Sequence, residues 1–168
     1  MFKKPDDLAN NECMSARDRM PGALTNVDVT MLYLIKQVEL AVRHRLDEVV
    51  SEVGLTALQY TALTVLERHP GMTSAELARN SFVRAQTMAQ MTTFLEIRGL
   101  VRKEADPRSK RQFLIFLSDE GQNVVNSLRA AVAEVEQAML ADFGEQEVAQ
   151  FRSMLRRCRV GLSGSHAH

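Results

Sequence analysis

Apolar residues recur at three- and four-residue steps in three long stretches of the chain, and this spacing predicts three long amphipathic helices. The first runs from Asp28 to Val53, the fifth from Ser118 to a break at Gly144, and the sixth from Glu145 to about Leu162. The apolar stripe of the sixth helix includes Cys158. Each stripe is too long for a small domain to cover, so we expect these helices to pack against a second copy of the chain.

Two shorter helices are predicted after the first. Thr56 is placed to cap a second helix that ends at Arg68. Thr73 and Glu76 have the spacing of a capping box, in which the hydroxyl and the carboxylate each accept a hydrogen bond from a backbone amide. This capping box predicts a short third helix over residues 74–80.

A fourth helix and two strands complete the middle of the chain. The helix is predicted from about Arg84 to Arg98, with Met88, Met91 and Leu95 inward, and Gly99 is the type of residue that follows a helix end. The strands are predicted at residues 100–105 and 112–117, joined by a basic turn over 106–110.

Two consecutive short helices followed by a cationic hairpin form the pattern of a winged helix-turn-helix. The predicted fold class is therefore mainly α with a small β-hairpin wing: a winged helix-turn-helix plus a helical dimerisation region. Residues 1–27 are expected to form a flexible N-terminal arm and 163–168 a disordered tail. The DNA-binding module is assigned to 56–117, and the dimerisation region to 28–55 and 118–162.

Charge favours DNA as the partner of this module. The whole chain has a formal net charge of zero. Between Arg84 and Arg111, however, seven cations stand against three anions, a local net charge of +4. Affinity for phosphate depends on such a local field rather than on the total charge.

The outward face of the fourth helix carries the residues expected to read bases. Glutamine donates to and accepts from adenine in the major groove, and alanine fits a thymine methyl group. Residues near the helix start are better placed for phosphates, and arginines of the hairpin suit the narrow minor groove of A·T-rich DNA. A solvated helix face and an ordinary charged hairpin tip remain the alternatives. The predicted DNA contacts are Thr73, Arg84, Ala85, Gln86, Thr87, Gln90, Arg108, Lys110 and Arg111.

Five short motifs occur in the order and spacing of the MarR family, which the chain resembles over roughly residues 32–162. The resemblance implies a cytoplasmic homodimer that binds a pseudo-palindromic operator, usually as a repressor, and is released by a small molecule. One departure is Ser109, which stands where the family's wing usually has an aspartate that steadies the last arginine; Asp106 is a candidate replacement. The motifs are Gly54-Leu-Thr-x-x-Gln59-Tyr60, Glu76-Leu-Ala78, Leu95-Glu-x-Arg-Gly-Leu-Val101, Asp106-Pro-Arg-x-x-Arg111 and Leu117-Ser-Asp-Glu-Gly121.

The resemblance also implies an effector, a phenol or an aromatic carboxylate such as a benzoate-, cinnamate- or indole-acetate-like acid. An arginine fork matches a carboxylate bidentately, which makes Arg43 a candidate. For each candidate the alternative is a structural role, either in the core or on a solvated helix face. The candidate ligand-binding residues are Tyr33, Gln37, Arg43, His44, Tyr60 and Thr61.

Other functions have less support in the sequence. A redox-sensing regulator is one alternative. It has little support, because Cys13 and Cys158 are far apart in sequence and neither lies where peroxide-sensing relatives have their cysteine. A winged helix used for protein–protein contact is a second alternative. No phosphate-binding loop, metal-ligand cluster or catalytic triad is recognisable, so we expect no enzyme activity, no cofactor and no metal. Without a signal sequence or an apolar run of membrane-spanning length, the expected location is the cytoplasm.

Overall fold

The computed structural model describes residues 29–163, except for the side chains of Lys110 and Ser163. The predicted arm and residues 164–168 of the predicted tail therefore lie outside the described residues. The chain divides into two compact units, Met1–Lys36 and Gln37–His168. The described part of the first unit contains the start of a helix. There, Thr30 Oγ1 accepts a hydrogen bond of 3.2 Å from the Tyr33 amide.

Helices dominate the described part of the chain, as predicted, and the mainly helical fold class with a small sheet is confirmed. Long helices lie at both ends, and a helix–turn–helix followed by a hairpin lies between them. The helices are α1 (Met31–Ser51), α2 (Ala57–Arg68), α3 (Ser74–Asn80), α4 (Ala85–Ile97), α5 (Asp119–Met139) and α6 (Glu145–Ser163). The strands are β1 (Met72–Thr73), β2 (Val101–Asp106) and β3 (Ser109–Leu117).

The three strands form an antiparallel sheet in the order β1-β3-β2. The sequence did not predict β1, which is only two residues long and pairs Met72 with Ile115. This short strand joins the start of α3 to the hairpin, so the sheet holds the wing beside the helix-turn-helix.

Side-chain caps explain why the short helices begin where they do. Thr56 and Thr73 both make the reciprocal capping box at the starts of α2 and α3. Ser118 caps α5 by accepting a hydrogen bond from the Gly121 amide at 3.0 Å, and its hydroxyl also donates to the Gly99 carbonyl at 2.6 Å. Because a Cβ at Gly121 would lie 2.1 Å from the Leu100 carbonyl oxygen, only glycine lets α5 approach this closely.

The core lies between α2, α3, α4, β3 and the first half of α5. The residues predicted to face inward on α4 are buried: Met88 and Leu95 completely, and Met91 with 8% of its surface exposed. On α5 the buried positions are Gly121, Val125 and Leu128, all in its N-terminal half. The wing and both short helices therefore share one apolar core.

The apolar stripe of α6 is not buried within a single chain. Leu155 and Leu162 are 45% and 74% exposed. Cys158, predicted on the inward side of this stripe, is an exposed free thiol. Among residues 29–163, no helix is long and apolar enough to cross a membrane.

Candidate nucleic-acid interface

Helix α4 presents its polar face to solvent. Since Met88, Met91 and Leu95 are buried, the opposite side of the helix is exposed, including the predicted readers Ala85, Gln86, Thr87 and Gln90. The first turn contains no acidic residue. Its amides and the positive end of the helix dipole are therefore open to an anion.

Arg84 begins this helix but does not cap it through its side chain. Its backbone is extended, with φ −70° and ψ 147°, and its side chain makes no capping hydrogen bond. The guanidinium is exposed. The structure thus leaves this cation in the position from which a phosphate contact was predicted.

Thr73, another predicted DNA contact, has a structural role at the start of α3. Its hydroxyl accepts from the Glu76 amide at 3.3 Å and donates to the Glu76 carboxylate at 2.7 Å. Hydrogen bonds from the Thr73 amide and then from its hydroxyl hold the pKa of Glu76 below its ordinary value of 4.5. The hydroxyl proton of Thr73 is thereby committed to the helix cap.

The wing is a tighter hairpin than the sequence predicted. The turn consists of Pro107 and Arg108, and the strands pair from Asp106 opposite Ser109 onward. The predicted turn over 106–110 is therefore too long, and Lys110 and Arg111 belong to β3. The physical reason is the Asp106 carboxylate, which accepts a hydrogen bond of 2.8 Å from the Arg108 amide and closes the turn.

This contact also defines what Asp106 does in the wing. The structure places its carboxylate on the backbone of the turn, and no ion pair joins it to Arg111 among the described residues. Arg108 and Arg111 are both exposed, so two cations of the wing lie at its surface.

An open cleft of about 380 Å³ lies between α4 and the wing. Ala89 and Thr93 line it from α4, and Lys103 and Arg111 line it from the two strands of the hairpin. The structure thus brings the α4 face and Arg111 to one surface, although they are distant in sequence.

Several other cations of the basic segment stabilise the module itself. Arg98 donates to the Gly54 and Val53 carbonyl oxygens at 2.7 and 3.0 Å, and thereby ties the end of α4 to the end of α1. Lys103 forms an ion pair of 2.6 Å with Glu96 of α4. Arg102 pairs with Glu104 and lies 4.6 Å from the ring centroid of Phe116.

The predicted ligand-binding residues that belong to α1 are exposed in the single chain. Tyr33, in the first unit, is 52% exposed. On α1, Gln37 is exposed, Arg43 is bound to Glu39, and His44 lies 3.4 Å from Glu48. From Gln37 onward, no hydrogen bond or ion pair among the described residues joins any two of the candidates.

Two of these candidates belong to the packing of α2. Tyr60 is buried in the core with 8% of its surface exposed, and burial raises the pKa of its phenol. Thr61 donates its hydroxyl hydrogen bond to the Ala57 carbonyl at 2.8 Å. Both side chains therefore have a structural role within this chain.

Sequence reasoning missed a polar cluster that links α2 to α5. The carboxylate of Glu67 accepts hydrogen bonds from Gln122 at 2.7 Å and from Arg129 at 2.8 Å. Asn126 accepts from both donors as well, at 3.2 and 2.9 Å. No local signal marks such a cluster, because its two sides lie 55 or more residues apart in sequence.

The sequence and the fold of this chain are both similar to those of known transcriptional regulators. Residues 53–112 match the sequence model of the MarR family. The HTH-type transcriptional repressor Rv2887 of Mycobacterium tuberculosis (strain ATCC 25618 / H37Rv) is 29% identical over 130 residues, which cover 77% of this chain and 94% of that protein. The crystal structure of the M. tuberculosis protein in complex with salicylic acid matches with a TM-score of 0.65 and 29% identity, covering 79% and 98% of the two chains.

Two further crystal structures show the same fold. A structure of MarR matches with a TM-score of 0.76 and 25% identity, covering 85% of this chain and 99% of that one. The S. aureus MepR–DNA complex matches with a TM-score of 0.71 and 21% identity, covering 80% and 99%. The arrangement of six helices and a wing in residues 29–163 is therefore one that known regulators share.

Proposed function

We propose that this chain is a MarR-family transcriptional regulator, a cytoplasmic homodimer that represses transcription by binding a pseudo-palindromic operator. In this proposal, a phenol or an aromatic carboxylate releases the protein from DNA. One observation carries the proposal: the exposed polar face of α4 shares a surface with the exposed Arg111 of the wing.

The chemistry of this surface fits double-stranded DNA. Gln86 and Gln90 are exposed on α4 and have the amide groups that pair with adenine in the major groove. Arg111 lies on the adjoining hairpin, where an arginine suits an electronegative minor groove. Exposed cations beside a helix that can enter a groove support DNA over a protein partner.

The exposed apolar side chains of the terminal helices support a homodimer. In α6, Met154, Leu155, Val160 and Leu162 are each 45% exposed or more in the single chain. A second copy would cover them and would present two α4 helices to successive major grooves, about 10 base pairs apart. A symmetric dimer of this kind requires a pseudo-palindromic operator.

An aromatic acid is the proposed effector because of the relative that resembles this chain over most of its length. That M. tuberculosis protein has a crystal structure with salicylic acid. In this chain the candidate residues remain Tyr33, Gln37, Arg43, His44, Tyr60 and Thr61, of which Arg43 supplies an exposed guanidinium on α1. A carboxylate would have to replace Glu39 as the partner of Arg43.

The test begins with a duplex that the full-length protein selects from a randomised DNA pool. Binding should weaken steeply as salt rises, because phosphate contacts release counterions. Salicylate, benzoate, cinnamate and indole-3-acetate are then titrated against the complex, with cyclohexanecarboxylate as the matched non-aromatic acid. Release by at least one aromatic acid but not by the control supports the proposal. Failure to select any duplex contradicts DNA binding, and release by peroxide alone would favour the redox alternative.

A further inference from the structure

The turn between α3 and α4 exposes an aromatic ring on an unfavourable backbone conformation. Phe82 has a φ of +57°, and 84% of its surface is exposed. It is the only described residue other than glycine with a positive φ. The left-handed region costs a residue with a Cβ more than it costs glycine.

Three helices of this chain end in the same hydrogen-bond pattern, which shows what the position of Phe82 normally requires. After α4, the Leu100 amide donates to Leu95 and the Gly99 amide to Glu96, with Gly99 at a φ of +69°. After α1, Gly54 takes the corresponding position at a φ of +67°. After α3, the Val83 and Phe82 amides donate to Ala78 and Arg79 at 3.0 and 3.4 Å. Phe82 therefore takes the place that glycine takes at both other ends.

The neighbours of Phe82 hold its ring outside the core. Ser81 is buried with 4% of its surface exposed, and Val83 packs against the core. Within the described residues, the Ser81 hydroxyl oxygen has no hydrogen-bond partner. Neither the positive φ nor the solvated ring stabilises this turn, so stability of the fold does not explain a phenylalanine here. Strained, exposed positions of this kind occur at functional sites.

The surroundings of the ring are suited to a polyanion. Arg79 and Arg84 flank the turn, both exposed, and the sequence from Leu77 to Leu95 contains no acidic residue. The start of α4, with its open amides, follows the ring by three residues. A partner that meets Phe82 therefore also meets two cations and the positive end of a helix.

We propose that Phe82 is a specificity-determining contact with operator DNA, packing its ring against the C5 methyl group of a thymine at the edge of the groove that α4 enters. Phenylalanine is one of the side chains that make apolar contact with this methyl group. The contact would order an already exposed ring and would make the strained turn part of base recognition. This inference rests on the proposed DNA-binding function and adds a residue and a base to it.

The test compares the full-length protein with Phe82→Gly and Phe82→Asn on the duplex selected by the parent. Both replacements tolerate a positive φ, so thermal unfolding should occur at or above the parental temperature. Affinity should fall by about fivefold or more, because each half-site loses the apolar surface that the ring and the methyl group bury together. Ile97→Ala is the matched control, because Ile97 is 82% exposed near the far end of α4 and should not affect binding.

Replacing single thymines of the duplex by uracil, which lacks the methyl group, then identifies the contact. Uracil at the contacted position of a half-site should weaken binding of the parent and have no effect on Phe82→Gly. If the parent binds DNA but the Phe82 variants bind equally tightly, or if no uracil position depends on Phe82, this inference is wrong while the proposed function stands. If the parent binds no duplex, the proposed function itself fails. A lower unfolding temperature for both variants would make Phe82 a structural residue and overturn the inference.

Discussion

At the scale of the residue, cations that look equivalent in the sequence have different roles. Arg98 is committed to the Gly54 and Val53 carbonyl oxygens, and Lys103 to Glu96. Arg111 is exposed and lines the cleft between the wing and α4. Substitution should therefore affect the fold at Arg98 and DNA binding at Arg111.

We expect Arg111→Ala to weaken operator binding by about tenfold or more and to reduce the slope of log affinity against log salt by about 1 for each phosphate that is no longer neutralised. Titration of a labelled duplex at several salt concentrations measures both quantities. Thermal unfolding should be unchanged, because Arg111 is exposed on the wing. Arg45→Ala is the matched control, since Arg45 is exposed on α1 and pairs with Glu48 at 3.3 Å. Parental affinity in Arg111→Ala would show that the wing does not contact DNA.

At the scale of the element, the polar cluster between α2 and α5 holds two helices together. The hydrogen bond from Gln122 holds the pKa of Glu67 below its ordinary value of 4.5, partial burial opposes this, and the hydrogen bond from Arg129 adds to the lowering. The lowered pKa means that the folded state favours the carboxylate. Glu67 therefore stabilises the fold above the unfolded pKa, and this contribution is lost as pH falls through the folded pKa.

Glu67→Gln should lower the free energy of unfolding by about 1 kcal/mol at neutral pH, because it removes the charge that Gln122 and Arg129 stabilise. The difference from the parent should shrink as the pH falls below the ordinary value of 4.5 and through the lowered pKa of the folded state, where the parental carboxylate also becomes neutral. Urea unfolding across this range measures it. Glu52→Gln, an exposed glutamate just after α1, controls for a change of charge alone. A difference that does not depend on pH would contradict the role assigned to the Glu67 carboxylate.

The elements that the sequence predicted well are those that local chemistry determines. Thr56, Thr73 and Gly99 mark helix ends because each acts on amides or carbonyls within a few residues, and all three lie where predicted. The spacing of Met88, Met91 and Leu95 likewise fixed the buried face of α4 and hence its exposed one. The candidate DNA surface was therefore largely predictable.

Contacts between distant residues were not predictable from these patterns. Strand β1 contributes only two residues to its pairing with β3, too few for a strand pattern. The Arg98 side chain binds the carbonyl oxygens of Gly54 and Val53, which precede it by 44 and 45 positions in sequence. The turn of the wing was predicted too long because the Asp106 carboxylate accepts a hydrogen bond from the backbone amide of Arg108 and not from the side chain of Arg111. The exposure and the positive φ of Phe82 were not predicted, since no local sequence signal indicates either of them.

At the scale of the whole molecule, the winged helix and α6 differ in how much apolar surface a single chain buries. The winged helix has an apolar core within one chain, in which Leu77, Met88 and Leu95 are completely buried. No described side chain of α6 is buried, although its apolar stripe is continuous. In the proposed dimer, a second copy would cover that stripe and would at the same time set the distance between two α4 helices. Dimerisation would then contribute both to the stability of α6 and to the spacing of the operator half-sites.

We expect Leu155→Asp to convert the protein from two chains to one, because a carboxylate at a 45% exposed position of the stripe would be buried without a partner in the dimer. Sedimentation velocity measures the mass, and circular dichroism should show that the winged helix remains folded. Operator affinity should fall by more than any single side-chain contact supplies, since a monomer engages only one half-site. Ser153→Asp, an exposed position on another face of α6, should leave both the mass and the affinity unchanged. A parent protein that sediments as a single chain and still binds a palindromic duplex tightly would show that the stripe has another occupant.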